Sequence, residues 1–113
     1  MTKKKRNVYK DALLLGEIIR KHRQRQGLSQ AELAFKADIN ESYLSTIECG
    51  YSYISVSKLL NICDALELSP IQFMKEFVHE KEEYLKSTEA ELLNQGYYSV
   101  ADDEAKYEDK SAL

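Results

Sequence analysis

Apolar residues recur at three- and four-residue spacing through most of the chain, and this period predicts helices. The first helix is predicted from Lys10 to Gln26, and Gly27 is a typical stop after it. Residues 1–9 lack the period and are expected to form a flexible basic arm. The predicted apolar face of the first helix consists of Leu14, Leu15, Ile18, Ile19 and His22.

Two short helices separated by a tight turn are predicted next. Ser29 is expected to cap the second helix, and Glu32, three residues later, completes a capping box. This helix ends near Ala37, and Asn40 is a good cap for the third helix, which ends at Gly50. Helices this short are unstable alone, so the other helices must complete the core. The apolar seam of the pair consists of Leu33, Ala37, Ile39, Leu44 and Ile47.

Two further helices complete the predicted fold. The fourth begins near Ser55 or Ser57, and the start of the fifth is marked by a Ser-Pro-Ile-Gln run at residues 69–72. Beyond residue 78 the pattern thins, Gly96 is the next clear stop, and the acidic residues 97–113 are predicted to be disordered. The apolar positions of these two helices are Leu59, Leu60, Ile62, Cys63, Leu66, Ile71, Phe73, Met74, Phe77 and Val78.

Composition supports an all-α protein with one small domain. The 113 residues suffice for one compact domain and a short extension, and four Gly and one Pro provide few helix breakers. The net charge of -3 is unevenly divided. Residues 1–68 carry eleven Lys or Arg against eight Asp or Glu, whereas residues 69–113 carry five against eleven. A basic front half and an acidic tail are typical of a protein whose first part meets phosphate.

Several function classes lack the residues that they need. Two Cys and two His have neither disulfide nor zinc spacing, and no nucleophile–base set or phosphate-binding Gly loop is present. We therefore expect no enzyme, no metal and no cofactor. About 35 residues after the predicted domain are too few for a separate ligand domain. Charged residues interrupt every apolar run after the basic cluster Lys3–Arg6, so we expect a cytoplasmic protein without a membrane span.

The outward face of the third helix carries the candidate chemistry. On a helical wheel, Leu44 and Ile47 define its buried side. Short polar groups near the start of an anchored helix suit insertion into a DNA major groove. The alternative is that they are simply solvated. The outward set consists of Ser42, Ser45 and Thr46, with Glu41 and Tyr43 on the flanks.

The same residues carry a family resemblance. The run GEIIRKHRQRQGLSQAELAFKADINESYLSTIECG, followed by LLNICDALELSPIQF, resembles the phage-repressor-like helix-turn-helix family, also called the xenobiotic-response-element (XRE) type. The resemblance covers roughly residues 13–77 and implies a five-helix, lambda-repressor-like DNA-binding domain. Asp38 departs from the family pattern, which usually has Gly at the turn. Asp tolerates the left-handed conformation better than most other residues, so the departure is mild.

The resemblance also implies roles for individual residues. Base contacts are expected from Asn40, Glu41, Ser42 and Thr46, although Asn40 has capping as an alternative role. Ser29 and Gln30 are expected at the phosphate backbone, and Gln30 should brace a side chain of the third helix. Arg23 and Glu48 are expected to pair. Apart from the resemblance, Arg20, Lys21, His22 and Arg25 of the first helix lie nearby in sequence. Contacts in an adjacent groove are expected from the arm residues Lys3–Arg6, for which a disordered, solubilising terminus is the alternative.

The chain after the domain contains a candidate dimerisation stripe. Ile71, Val78, Leu85 and Leu92 repeat every seven residues, as in a heptad. The positions that should complete the heptad are polar, which disfavours a regular coiled coil. They are Lys81, Thr88 and Gln95. Docking of the fifth helix onto its own domain, followed by a looser helix, is the alternative.

The sequence thus predicts three regions and two competing functions. The regions are the arm at 1–9, the DNA-binding domain at 10–78 and an acidic extension at 79–113. The favoured function is a dimeric, operator-binding repressor or autoregulator of the phage or mobile-element control type. The alternative is an antitoxin-like adaptor that binds a protein partner through the acidic extension.

Overall fold

The protein forms five α-helices in the part of the chain that the structure describes. The structure, a computed structural model, describes the backbone of residues 9–95 and the side chains of residues 9–88. No strand occurs in this range, and the all-α fold expected from the sequence is confirmed. The predicted tail and all of the arm except Tyr9 lie outside the described residues. The helices are α1 (Lys10–Arg25), α2 (Gln30–Ala37), α3 (Glu41–Glu48), α4 (Val56–Ala65) and α5 (Pro70–Gln95).

Local capping sets the starts of the short helices. The Ser29 hydroxyl accepts from the Glu32 backbone N–H at 3.0 Å, and the Glu32 carboxylate accepts from the Ser29 N–H at 2.9 Å. Asn40 caps α3, and the Ser55 hydroxyl caps α4 by accepting from the Lys58 N–H at 3.3 Å. These bonds satisfy first-turn N–H groups that have no partner within the helix.

Two non-glycine residues adopt the left-handed conformation at helix ends. Asp38, with φ 55°, ends α2 as the sequence predicted, and Glu67, with φ 57°, follows α4. The conformation at Glu67 was not expected, because no Gly or Asn marks this turn. It allows the Leu68 N–H to donate to the Cys63 carbonyl at 2.8 Å and thereby closes the end of the helix.

The core of the domain lies between α1, α2, α3, α4 and the start of α5. In the described range, α2 packs on α3 and α4, and α1 packs on α3. Phe73 is 1% exposed and anchors α5 to this core. The buried residues of the core are Ile18, Ile19, Leu33, Ala34, Ala37, Leu44, Ile47, Ile62, Cys63, Leu66 and Phe73.

A glycine permits the close approach of α1 and α3. A Cβ atom added to Gly16 would lie 2.2 Å from the Ile47 carbonyl oxygen and 2.9 Å from the Glu48 Cα. Both contacts are with backbone, which side-chain rotation does not relieve. Gly16 therefore fixes how closely α3 is held against the rest of the domain.

The chain divides by its internal contacts into residues 1–81 and residues 82–113. The described part of the second unit is helical as far as Gln95, one residue before the predicted stop at Gly96. A Glu83–Lys86 ion pair at 3.8 Å lies on its surface. No described helix is long and apolar enough to cross a membrane.

Candidate nucleic-acid interface

Helix α3 is anchored on one side and exposed on the other. Leu44 is 0% and Ile47 1% exposed, so these two side chains fix the buried side that the helical wheel predicted. Asn40, Glu41 and Ser42 are exposed at the start of the helix, where the sequence analysis placed base contacts. The remaining members of the predicted set, which are Tyr43, Ser45 and Thr46, are partly exposed.

Two polar side chains of this surface are hydrogen-bonded within α3 itself. The Asn40 Oδ1 atom accepts from the backbone N–H groups of Ser42 at 2.8 Å and Tyr43 at 3.3 Å. The Thr46 hydroxyl donates to the Ser42 carbonyl at 2.9 Å. Asn40 therefore caps the helix and still presents its NH₂ group.

Tyr43 connects α3 to the start of α4. Its ring packs against the core, and its hydroxyl oxygen accepts from the Ser55 backbone N–H at 3.4 Å. The hydroxyl hydrogen is then left for an external acceptor, such as a phosphate oxygen. This arrangement couples the position of the α3 surface to that of the neighbouring helix.

A buried carboxylate locks α3 onto α1 and α2. Glu48 is 0% exposed, and its carboxylate accepts from Arg23 Nε at 2.8 Å and from Arg23 Nη2 at 3.0 Å. The Gln30 Nε2 atom donates to the same carboxylate at 3.0 Å. Arg20 adds a hydrogen bond of 3.1 Å to the Glu48 backbone carbonyl. Three side chains from two helices thus converge on the last residue of α3.

The charges of this cluster stabilise one another. Burial on its own would raise the pKa of the Glu48 carboxyl, but the hydrogen bonds from Arg23 and Gln30 and the nearby positive charges hold it below its ordinary value. The hydrogen bond to Glu48 raises the pKa of the Arg23 guanidinium despite its partial burial. Both groups are therefore charged in the folded protein, as a bidentate pair requires.

The start of α2 offers fewer free donors than the sequence suggested. The backbone N–H groups of Ser29 and Glu32 are both used by the capping box. In the described part of the chain, the first-turn N–H groups of Gln30 and Ala31 have no partner. Gln30 also keeps one side-chain N–H, because an amide nitrogen carries two hydrogens and only one is directed to Glu48.

Three basic residues of α1 that were expected near DNA are bonded within the protein. Arg20 is bound to Glu48, while Lys21 and His22 both contact the Glu76 carboxylate of α5, His22 at 2.7 Å. These partners lie 28 to 55 residues further along the chain, so local sequence does not reveal them. These internal bonds compete with phosphate for Arg20, Lys21 and His22, and a contact of Arg25 with phosphate stays a prediction.

The role of Arg20 beside the Arg23–Glu48 pair was not predicted from the sequence. The signal was present, because residues three apart on a helix share a face, and Arg20 and Arg23 are three apart. The attachment of residue 9 to the loop after α3 was also not predicted. The Tyr9 N–H donates to the Gly50 carbonyl at 3.0 Å, and the Tyr9 and Tyr53 ring centroids lie 5.1 Å apart.

The candidate dimerisation stripe is exposed where its side chains are described. Ile71 is 69%, Val78 48% and Leu85 51% exposed, and the Leu92 side chain lies outside the described range. Lys81, at one of the polar heptad positions, forms an ion pair of 3.0 Å with Asp11 of α1. Among the described side chains, no group of His, Cys, Asp and Glu could hold a metal ion.

Comparison with known proteins identifies relatives of this domain. A family model described as helix-turn-helix matches residues 19–73, a range that contains α2, α3 and α4. The control protein C.BamHI of Bacillus amyloliquefaciens is 36% identical over 59 residues, which cover 51% of this chain and 73% of that protein.

Solved structures agree with this assignment. The restriction-modification controller protein C.AhdI from Aeromonas hydrophila has a TM-score of 0.56 and 32% identity, covering 57% of this chain and 98% of that chain. The controller protein C.Esp1396I, solved as a tetramer in complex with its natural 35 base-pair operator, has a TM-score of 0.60 and 26% identity over 64% of this chain and 95% of that chain. The chain therefore belongs to the XRE-type helix-turn-helix family and is homologous to restriction-modification controller proteins.

Proposed function

We propose that this protein is a sequence-specific DNA-binding transcriptional regulator that inserts α3 into the major groove. The observation that carries the proposal is the division of α3 into a buried side, fixed by Leu44, Ile47 and Glu48, and an exposed polar side. A groove-binding helix must be held rigidly while its base-contacting groups stay accessible. The base-contacting groups that we propose are Asn40, Glu41, Ser42 and Thr46, with Ser45 close by, and the Tyr43 hydroxyl contacts phosphate.

Contacts with the phosphate backbone come from the start of α2. The free N–H groups of Gln30 and Ala31, the second side-chain N–H of Gln30 and the Ser29 hydroxyl are neutral donors that suit phosphate oxygens. Because Gln30 also binds Glu48, this phosphate contact and the position of α3 are linked. Such contacts fix the register of the protein on the duplex without selecting a sequence.

We further propose that the regulator acts as a homodimer. The exposed apolar residues Ile71, Val78 and Leu85 repeat at heptad spacing on α5, and a second copy of the chain would cover them. The Lys81–Asp11 ion pair and the buried Phe73 hold this part of α5 on its own domain, while Ile71 and Val78 stay exposed outside those contacts. A dimer would recognise two half-sites about one helical turn apart.

The type of regulation is proposed from the relatives. C.BamHI, C.AhdI and C.Esp1396I are named as control or controller proteins, and C.Esp1396I was solved on its operator. By analogy, we propose that this protein is a repressor or autoregulator of the same control type. Neither the described contacts nor the relatives support the antitoxin-like alternative, in which residues 79–113 bind a protein partner.

A selection from randomised DNA duplexes tests the proposal. The full-length protein is mixed with duplexes that carry a random central region, bound molecules are recovered and their sequences are compared. We expect enrichment of a two-fold symmetric motif with half-sites about one helical turn apart. Recovery of duplexes with no shared motif would contradict sequence-specific binding.

A further inference from the structure

The hydrogen bonds inside α3 restrict what its exposed side chains offer to a base. Backbone N–H groups only donate, so the Asn40 atom that faces the N–H groups of Ser42 and Tyr43 is the side-chain oxygen. Two N–H groups occupy both lone pairs of this oxygen. The outward part of the Asn40 side chain is then its NH₂ group, which carries two donors and no acceptor.

This restriction changes the bases that Asn40 is able to recognise. An asparagine that recognises adenine in the major groove donates to N7 and accepts from the N6 amino group, so it needs both of its polar atoms. Asn40 lacks a free acceptor as long as it caps α3. Its two donors instead match guanine, whose major-groove edge presents two acceptors, O6 and N7, and no donor.

Thr46 is restricted in a similar way one turn later. Its hydroxyl hydrogen is directed to the Ser42 carbonyl at 2.9 Å, so it has no hydrogen to donate to a base. What remains is the oxygen lone pair and the methyl group. A methyl group matches the C5-methyl group of thymine, which is the apolar feature of the major groove.

From these bonds we infer that Asn40, the residue that caps α3, also determines base specificity. This inference rests on the proposed function. Asn40 selects a G·C pair by donating from its side-chain amide to guanine, and Thr46 contributes a methyl contact to thymine. Asn40 therefore acts at once as the cap of α3 and as a specificity-determining donor. The same residue with a free oxygen would favour adenine.

The substitution Asn40→Asp separates the two roles of this residue. Aspartate caps helices about as well as asparagine, so the fold and the melting temperature should be preserved. It replaces the outward NH₂ group with a carboxylate oxygen, which accepts but does not donate. The variant therefore loses the donor and keeps the cap. The full-length wild-type protein and the variant are each subjected to selection from randomised duplexes, and fluorescence anisotropy then measures binding to single-base variants of the enriched site.

We expect Asn40→Asp to lose about tenfold discrimination at one position of each half-site, a position that is a G·C pair in the wild-type motif. Any one of three results would overturn this inference and leave the proposed function intact. They are an A·T pair at that position, an equal loss of affinity on every duplex through repulsion of the new carboxylate, and a lowered melting temperature. Failure of the wild-type protein to enrich any motif would overturn the proposed function as well.

Thr46 provides a second test with a conservative rescue. Thr46→Ala removes the methyl group and should reduce the preference for thymine at one position about fivefold. Thr46→Val removes the hydroxyl but keeps a methyl group, so it should restore that preference. Equal losses in the two variants would show that the hydroxyl contacts the base and would overturn the inference for Thr46.

Discussion

Gln30 and Glu48 are 18 residues apart in sequence, yet the Gln30 side-chain amide donates to the Glu48 carboxylate at 3.0 Å. The bond links the first residue of α2 to the last residue of α3. Because Arg23 binds the same carboxylate from α1, three helices share one buried charge. The contacts of Gln30 and Arg23 with Glu48, on the buried side of α3, therefore position the exposed side that is proposed to bind DNA.

Replacing Gln30 tests this link. Gln30→Ala removes the hydrogen bond to Glu48 and a phosphate donor, so we expect a loss of about 1–3 kcal/mol in the free energy of unfolding. DNA affinity should fall by a similar factor on all sequences, since phosphate contacts carry no sequence information. Thermal denaturation and binding isotherms measure the two effects. Gln24→Ala, at an exposed glutamine of α1, is the control. Equal melting temperatures for Gln30→Ala and Gln24→Ala would contradict a stabilising bond between Gln30 and Glu48.

The Arg23–Glu48 pair is suited to a double-mutant cycle. Removing either partner leaves the other charge buried, so Arg23→Ala and Glu48→Ala should each cost about 3–5 kcal/mol of stability. The double variant should cost less than the sum of the two, because no unpaired charge remains. Urea denaturation at neutral pH gives all four free energies, with Glu17→Ala as an exposed control. Additive losses would mean that the two side chains do not stabilise each other.

Acid should destabilise the domain through Glu48 and Glu76. Burial acts to raise the pKa of both carboxyls, but side-chain hydrogen bonds and nearby positive charges hold it below the ordinary 4.5. A carboxyl with a lowered folded pKa contributes stability above its unfolded pKa and loses it as the pH falls through its folded pKa. The free energy of unfolding should therefore decrease between about pH 5 and pH 3. Glu76→Gln should flatten this dependence, and curves parallel to the wild type would contradict the assignment.

The α5 stripe predicts the oligomeric state. Val78→Lys and Leu85→Lys each place a charge on an exposed apolar position of the stripe, so both should convert a dimer into a monomer of 13.0 kDa. Light scattering measures the mass. Phe35→Lys, which changes an 87% exposed aromatic on α2, is the control and should remain dimeric. A dimer that survives both stripe substitutions would place the interface elsewhere.

The sequence predicted the features of this fold that depend on near neighbours. The caps at Ser29 and Asn40 lie within three residues of their partners, and the buried positions of Leu44 and Ile47 follow from helical periodicity. The left-handed Asp38 was predictable because a family pattern marks that position. These features depend on residues that are close together in the sequence, so the sequence alone predicts them.

Features that depend on packing between distant residues could not be predicted in the same way. The contacts of Lys21 and His22 with Glu76, and of Lys81 with Asp11, join residues 54 to 70 positions apart. Nothing in the local pattern distinguishes such a residue from one that faces solvent. For Asn40 the sequence left capping and base contact as alternatives, and only the direction of its oxygen suggests that one side chain serves both.

Binding to the enriched duplex and to a scrambled duplex of equal composition, measured over a salt series, tests the central claim most directly. We predict that affinity for both falls steeply between about 50 and 200 mM salt, because phosphate contacts release counterions. The enriched duplex should stay bound at least about 1000-fold more tightly throughout. Equal affinity for the two duplexes at every salt concentration would contradict recognition of bases by the exposed side of α3.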